Sequence, residues 1–425
     1  MPHTQLKIQQ LQQLQQLQHY ALTRAYISYL LLASLFLCLS FNSFALTTVG
    51  DLKSQQKNEI LFNIHAYYVE DLALQQSFEN NQQFEALLAQ LDPYSKYLDE
   101  QELEALFSST NGRYTGLGIE VKLQDKKIVI INTIKNSPAA QAGIQKDDIV
   151  LAINQQAVVN KDINQVAQMI KSSDTAAVTL TIERTNPTQI LDFEITRSEI
   201  NLESVTSSLS GFGIGYLAIN SFSNHTLHDV ARHITILQSN YGAALTGLVI
   251  DLRDNPGGTL QSAVAVSDLF LQSGTIVTTK GRFYDANQHY RAKKGDILNG
   301  APIVVLINEN SASAAEILAA ALKDNHRATL IGSQSFGKGS VQSLIPLGNG
   351  NTALKLTTAK YFTPSGQSID GVGVTPDVAI NQSTLSQIDK VVIIKNEQGS
   401  DDPLWQNSAA SDPLLLKAQQ LLTMK

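Results

Sequence analysis

One cysteine, Cys38, stands in 425 residues, inside an apolar run near the N-terminus. A chain cleaved after Ala45 would hold no thiol, which excludes a disulfide framework. Positive charge is also short. Without Lys7 and Arg24, the 31 Lys and Arg fall to 29 against 38 Asp and Glu, a net charge of −9. No basic stripe with interleaved aromatics appears, so nucleic acid is excluded as a partner. The zinc motif H-E-x-x-H is missing too. His225, His228 and His233 lie in a segment that reads as helix, with 225 and 228 on one face, and they read as solvated or packed rather than as ligands. With Asp229 and Asp251 they leave a histidine-based triad as the alternative catalytic constellation. No internal repeat follows the N-terminal glutamines. At 43% apolar residues the composition is that of a globular protein with two or three domains.

Residues 1–24 are a Gln/Leu-rich tract without an acidic residue. From Ala25 the chain turns apolar and ends at Ser43-Phe-Ala45. A basic flank, an apolar centre and a small-x-Ala exit describe a secretory signal, with an uncleaved anchor as the competing reading. The expectation is export, to a bacterial periplasm or to the outer side of a membrane with transient association through 25–45. Leu-Phe-Leu-Cys38 lacks the small residue that precedes a lipidated cysteine.

The densest chemistry lies in Asn308-Glu-Asn-Ser-Ala-Ser-Ala-Ala-Glu-Ile-Leu318 and Gly337-Lys-Gly-Ser-Val-Gln342. Pro302–Ile307 is a short, β-branched apolar run and reads as a buried strand. Helical spacing of Ile317, Leu318, Ala321 and Leu322 begins after Ala314. Ser313 thus stands where strand gives way to helix, with the unpaired N–H groups of the first turn beside it. A serine hydroxyl needs a base, and a lysine serves when burial or a nearby cation keeps it neutral. Lys338, between two glycines, is the candidate base, and Gln342 is the candidate to orient its amine. Ser313 with Glu316 also fits a helix capping box, and Lys338 by itself fits a solvated charge. Gly332–Lys338 has phosphate-loop spacing, but Gly339 replaces the required Ser or Thr, and a strand rather than a helix follows.

Asp251-Leu-Arg-Asp-Asn-Pro-Gly-Gly258 reads as a strand end and a tight turn before a helix. With Asn-x-x-Ser-Ala-Ser-Ala-x-Glu and Gly-Lys-Gly-Ser-Val-Gln, it resembles the C-terminal (tail-specific) processing peptidases over roughly residues 55–380. Ala315 departs from a serine common there, at a position without a catalytic role. The resemblance implies Ser313 as nucleophile, Lys338 as general base and Gln342 as its orienting partner. It implies an oxyanion hole from Gly257 or Gly258 with the N–H of Ala314, and an α/β, crotonase-like core needing no cofactor or metal.

Tyr114-Thr-Gly-Leu-Gly-Ile-Glu-Val121 and Ser137-Pro-Ala-Ala-Gln-Ala-Gly-Ile-Gln-Lys-Asp-Asp-Ile-Val150 resemble a PDZ domain. That implies carboxylate binding at Leu117, Gly118 and Ile119, with the substrate tail added as a strand to a sheet edge. The expected organisation is 1–45 extension and signal, 51–110 helical, 113–197 PDZ domain (small α+β/β-barrel), 198–380 catalytic domain and 381–425 tail. Asp92-Pro-Tyr-Ser95 interrupts the helical region, and Leu414, Leu415 and Leu416 suggest a docking helix. The expected activity is serine endopeptidase action on protein or peptide tails with apolar C-termini. A non-catalytic tail-binding scaffold is the alternative, and an adaptor or homo-oligomer stays open.

Overall fold

The computed structural model describes residues 49–72, 88, 90–171, 177–185, 188–348, 350–380 and 412–423. The signal segment and the glutamine tract lie outside them. Contacts divide the chain after Glu59, and every strand among the described residues lies in the unit Ile60–Lys425.

A sheet of six strands organises the region expected to be catalytic. Its order is β10 (Val205–Leu209), β11 (Ile214–Ile219), β12 (Gly247–Asp251), β15 (Ile303–Ile307), β16 (Ala328–Gly332) and β19 (Val378–Ala379). Pairing is parallel from β11 onward and antiparallel only between β10 and β11. All five residues of β12 and of β15 are buried, as a parallel sheet covered on both faces requires. Helices α5 (Thr226–Tyr241), α6 (Leu260–Phe270) and α7 (Ala314–Asp324) share a core with Leu248, Ile250, Val305 and Ile307. Across the sheet, α8 (Pro413–Thr423) buries Leu415, Leu416 and Leu422 against Val249, Val304 and Leu306.

A second sheet stands beside it, with β1 (Lys96–Leu98), β18 (Thr352–Phe362), β13 (Thr275–Lys280) and β14 (Gln288–Arg291) in order, and β17 (Ser340–Leu347) on β18. Residues 51–110 are therefore not wholly helical. Helix α1 (Val49–Tyr67) and helix α2 (Glu100–Asn111) flank a turn and a strand whose Lys96, Tyr97 and Leu98 pair with Lys355, Leu354 and Ala353. Asp92 to Ser95 form a turn, and partners more than 250 residues away complete the strand, which local periodicity does not reveal.

The remaining six-stranded sheet is wholly antiparallel, with β3 (Ile119–Gln124), β4 (Lys127–Thr133), β5 (Ile149–Ile153), β7 (Ala177–Thr185) and β8 (Thr188–Thr196) in order and β6 (Gln156–Ala157) on β5. Helices α3 (Pro138–Ala142) and α4 (Ile163–Lys171) accompany it. Among the described residues β3 is an edge strand. Two strands, β2 (Arg113–Gly116) and β9 (Ser198–Asn201), pair where the chain enters and leaves this region.

Candidate active site

Strand β15 ends at Ile307, and the loop after it is stitched to the turn that follows β12. The Asn308 and Asn310 side-chain amides both donate to Asp254 Oδ1, at 2.9 and 2.8 Å. Ala312 N–H donates to the Asn255 carbonyl at 2.9 Å. Ser311, the other serine of the motif, is fully buried and gives its hydroxyl to the Leu252 carbonyl, so its role is to tie these segments together.

Ser313 follows with φ 56° and ψ −113°, a strained conformation for a residue bearing a Cβ. Three contacts hold it there. Its N–H donates to Glu316 Oε2 at 2.7 Å, the Tyr361 hydroxyl donates to its carbonyl at 3.2 Å, and α7 begins at the next residue.

Glu316 joins the two halves of the site. Its fully buried carboxylate also accepts from Ser335 Oγ (2.6 Å), Gly337 N–H (2.7 Å) and Lys338 N–H (2.9 Å). The phosphate-loop-like amides of Gly337 and Lys338 are thus filled by the protein's own carboxylate. The Tyr361 hydroxyl spans the same gap, donating to the Lys338 carbonyl as well. On the far side the chain presses so closely on Asp370 that a Cβ at Gly339 would lie 2.5 Å from its backbone nitrogen, which is why glycine stands there.

Lys338 is partly buried. Burial pushes its pKa below the ordinary lysine value, and the nearby Lys355 adds to this, while Asp92 and Glu316 oppose it. Its Nζ lies 4.4 Å from the centre of the Tyr94 ring. Among the described residues it makes no hydrogen bond or ion pair, to Ser313 or to any other group. Gln342, opposite Thr357 beside a bulge in β17, donates to Ser340 Oγ at 2.8 Å and Thr357 Oγ1 at 3.4 Å rather than holding the lysine.

Ser313, Ala314, Lys338, Gln342, Gly257 and Gly258 line one cleft of about 690 Å³. The two glycines differ. Gly257 N–H is spent on Asn255 Oδ1 at 2.8 Å. Gly258 is pressed against the Phe222 backbone, where a Cβ would meet the carbonyl oxygen at 2.0 Å, and its N–H has no partner among the described residues. The N–H of Ala314 is likewise free among them.

In the antiparallel sheet, Leu117 is buried in that sheet's core, Gly118 takes φ 78°, and Ile119 opens the edge strand β3. The Leu117 and Gly118 carbonyls accept from Ala139 and Ile134 N–H at 2.9 Å each, fixing the turn.

The histidines fall elsewhere. His225 Nε2 accepts from Arg113 Nε at 2.9 Å, His233 Nδ1 meets Ser207 Oγ at 2.7 Å, and His228 is exposed. Asp251 is held by Arg253 and Tyr216, and Asp229 by Arg232 and Ser204. No cluster of metal-ligating side chains occurs among the described residues.

Residues 213–380 match Peptidase family S41, and residues 129–184 match the PDZ domain. A carboxy-terminal-processing protease of Bartonella bacilliformis is 41% identical over 326 residues, 74% of this chain and 75% of that one. The carboxy-terminal processing protease CtpB of Bacillus subtilis is 36% identical over 301 residues, 68% of this chain and 60% of that one. The crystal structure named "Putative S41 protease from Bacteroides fragilis NCTC 9343" has a TM-score of 0.53 at 16% identity, over 90% of this chain and 99% of that one, a likeness of fold. Fold and matches together define a serine-type peptidase with a PDZ domain. The chain belongs to the carboxy-terminal-processing protease family within S41.

Sequence reasoning took Glu316 only as a cap and passed over Tyr94, Lys355 and Tyr361. A carboxylate in a helix turn otherwise made of Ala, Ile and Leu was the available signal for Glu316. Nothing local marks the other three.

Proposed function

We propose that the protein is an exported serine endopeptidase that reads C-terminal tails of protein substrates with residues 113–197 and cuts them through an acyl-enzyme on Ser313. The single observation that carries this reading is the strained Ser313, at the mouth of α7, sharing a cleft with a buried amine and two unspent backbone N–H groups. Lys338, whose partial burial favours the neutral amine, takes the proton from Ser313 Oγ when deprotonated, as that oxygen bonds to the scissile carbonyl carbon. The oxyanion accepts hydrogen bonds from the N–H groups of Gly258 and Ala314, the two of the three candidate amides without a partner among the described residues. The ammonium then protonates the leaving nitrogen, the C–N bond breaks, and an ester to Ser313 remains. Water attacks that ester with its proton passing to Lys338, and Ser313 recovers its hydrogen.

Catalysis on this reading requires Lys338 to leave the face of Tyr94 and turn toward Ser313, with Gln342 holding it once there. For the substrate tail, the open edge of β3 with α4 nearby offers strand addition, and the turn at Leu117 and Gly118 offers amides to a terminal carboxylate. Export rests on the apolar segment 25–45.

The test is mass spectrometry of a peptide with an apolar C-terminus after digestion by wild type, Ser313→Ala and Lys338→Ala. Fragments are expected from wild type only, with both variants folded. A stable complex without fragments from wild type would favour a tail-binding scaffold instead.

A further inference from the structure

The turn Asp92-Pro-Tyr-Ser95 is built with more hydrogen bonds than a surface connection needs. Asp92 Oδ1 accepts from Tyr94 N–H and from Thr357 Oγ1, both at 2.9 Å, and Asp92 Oδ2 accepts from Ser95 Oγ at 2.6 Å. Ser95 Oγ accepts in turn from Thr357 N–H at 2.9 Å. Asp92 N–H donates to the Tyr68 hydroxyl at 3.0 Å, and Val69 N–H donates to the Thr357 carbonyl at 2.8 Å. The turn is thereby fastened to the one residue of β18 that faces Gln342 across the ladder. Pro93 restricts the backbone immediately before Tyr94. These bonds aim the Tyr94 ring, whose centre lies 4.4 Å from Lys338 Nζ.

We propose that Tyr94 is a positioning residue for the catalytic lysine, its ring face holding the Lys338 ammonium in the resting site until the amine gives up its proton and turns toward Ser313. This rests on Lys338 being the general base of the peptidase. An aromatic face suits the task. It attracts a cation through its quadrupole, yet neither accepts the proton nor locks the charge as a carboxylate would. Asp92 is the nearest carboxylate of the turn, and its oxygens are already engaged by Tyr94, Ser95 and Thr357. Other charged groups facing the amine are Lys355 on β18, which repels it, and Glu316 on α7, which attracts it. Asp370 faces the tyrosine itself. The proton ledger is unchanged: Lys338 gains the Ser313 proton as the Oγ–C bond forms and loses it to the leaving nitrogen.

The sign follows from which form the ring favours. Tyr94 stabilises the ammonium, so removing the ring lowers the pH at which Lys338 titrates. The limb of kcat/KM that rises as the amine becomes neutral then moves to lower pH. The experiment uses the full chain labelled with carbon-13 lysine, the Lys338 resonance being assigned by its loss in Lys338→Arg. In Tyr94→Leu the NMR titration midpoint should fall by a few tenths to about one pH unit, with Tyr94→Phe staying at the wild-type value. Fluorinated phenylalanines at position 94 keep the ring's shape while draining its negative face, and should lower the midpoint in proportion to fluorine number. An unmoved midpoint across the fluorinated series, or equal shifts in Leu and Phe variants, would overturn the proposal. Because the resonance needs no substrate, loss of the peptidase reading is distinguishable. Cleavage persisting in Ser313→Ala removes that reading, while the midpoint still judges the Tyr94 contact.

Discussion

The two six-stranded sheets of this protein have the same number of strands and opposite burial. In the catalytic sheet, β12 and β15 are buried at every residue, with helices over both faces. In the PDZ sheet, β7 alternates between fully and partly buried positions, and one smaller core fills one side. The first arrangement leaves no direction in which a strand end can shift, and Ser313 emerges from it. The second leaves an edge open to a peptide, and β2–β9 and the Arg113–His225 contact join it to the remainder. On the proposed reading, chemistry that depends on tenths of an ångström would sit on the layer packed from both sides, and recognition on the layer that can adapt.

The sharpest break of that comparison is Glu316→Ala. Four donors lose a buried acceptor, and the Ser313 and Lys338 segments lose their common anchor. Cleavage should fall by about a hundredfold or more, with stability lower by about 3 kcal/mol in urea unfolding. Cleavage near the wild-type rate would show that sheet packing alone aligns the site.

Next is Asp148→Ala in the PDZ sheet. Arg184 grips this buried carboxylate with Nε and Nη2, both at 2.8 Å. Its removal takes a buried acceptor from Arg184 and from Gln145 N–H, and a loss of about 2 kcal/mol is expected. Hydrogen exchange should place that loss within 113–197, leaving amides of β12 and β15 protected. Equal loosening of both sheets would refute their independence.

The smallest effect concerns His233, at the α5 face of the catalytic sheet. Burial first, and then Arg232, hold its pKa below the ordinary histidine value. The unfolded chain therefore takes up the proton first as pH falls. Stability should decline from about pH 6.5 downward and level off below the folded pKa. His233→Gln should flatten that part of the profile, read as unfolding midpoint against pH.

The catalytic segments were largely legible. The apolar run before Asn308, the helical spacing after Ala314 and the Asn-Pro-Gly-Gly turn produced β15, α7 and the β12–α6 turn because each signal is local. The strand Lys96–Leu98 was not, since its partners lie on β18. Which of Gly257 and Gly258 keeps its N–H unspent was equally beyond reach, because that depends on whether Asn255 consumes it.

By itself, the order of residues determined which chemistry is on offer: a serine at a strand-to-helix junction, a lysine between glycines, and a PDZ-like pair of motifs. Where the amine rests, what anchors it and which N–H groups stay unspent were decided only when distant segments met. Burial and hydrogen-bond competition are properties of a packed neighbourhood, and no stretch of chain carries them before it is enclosed.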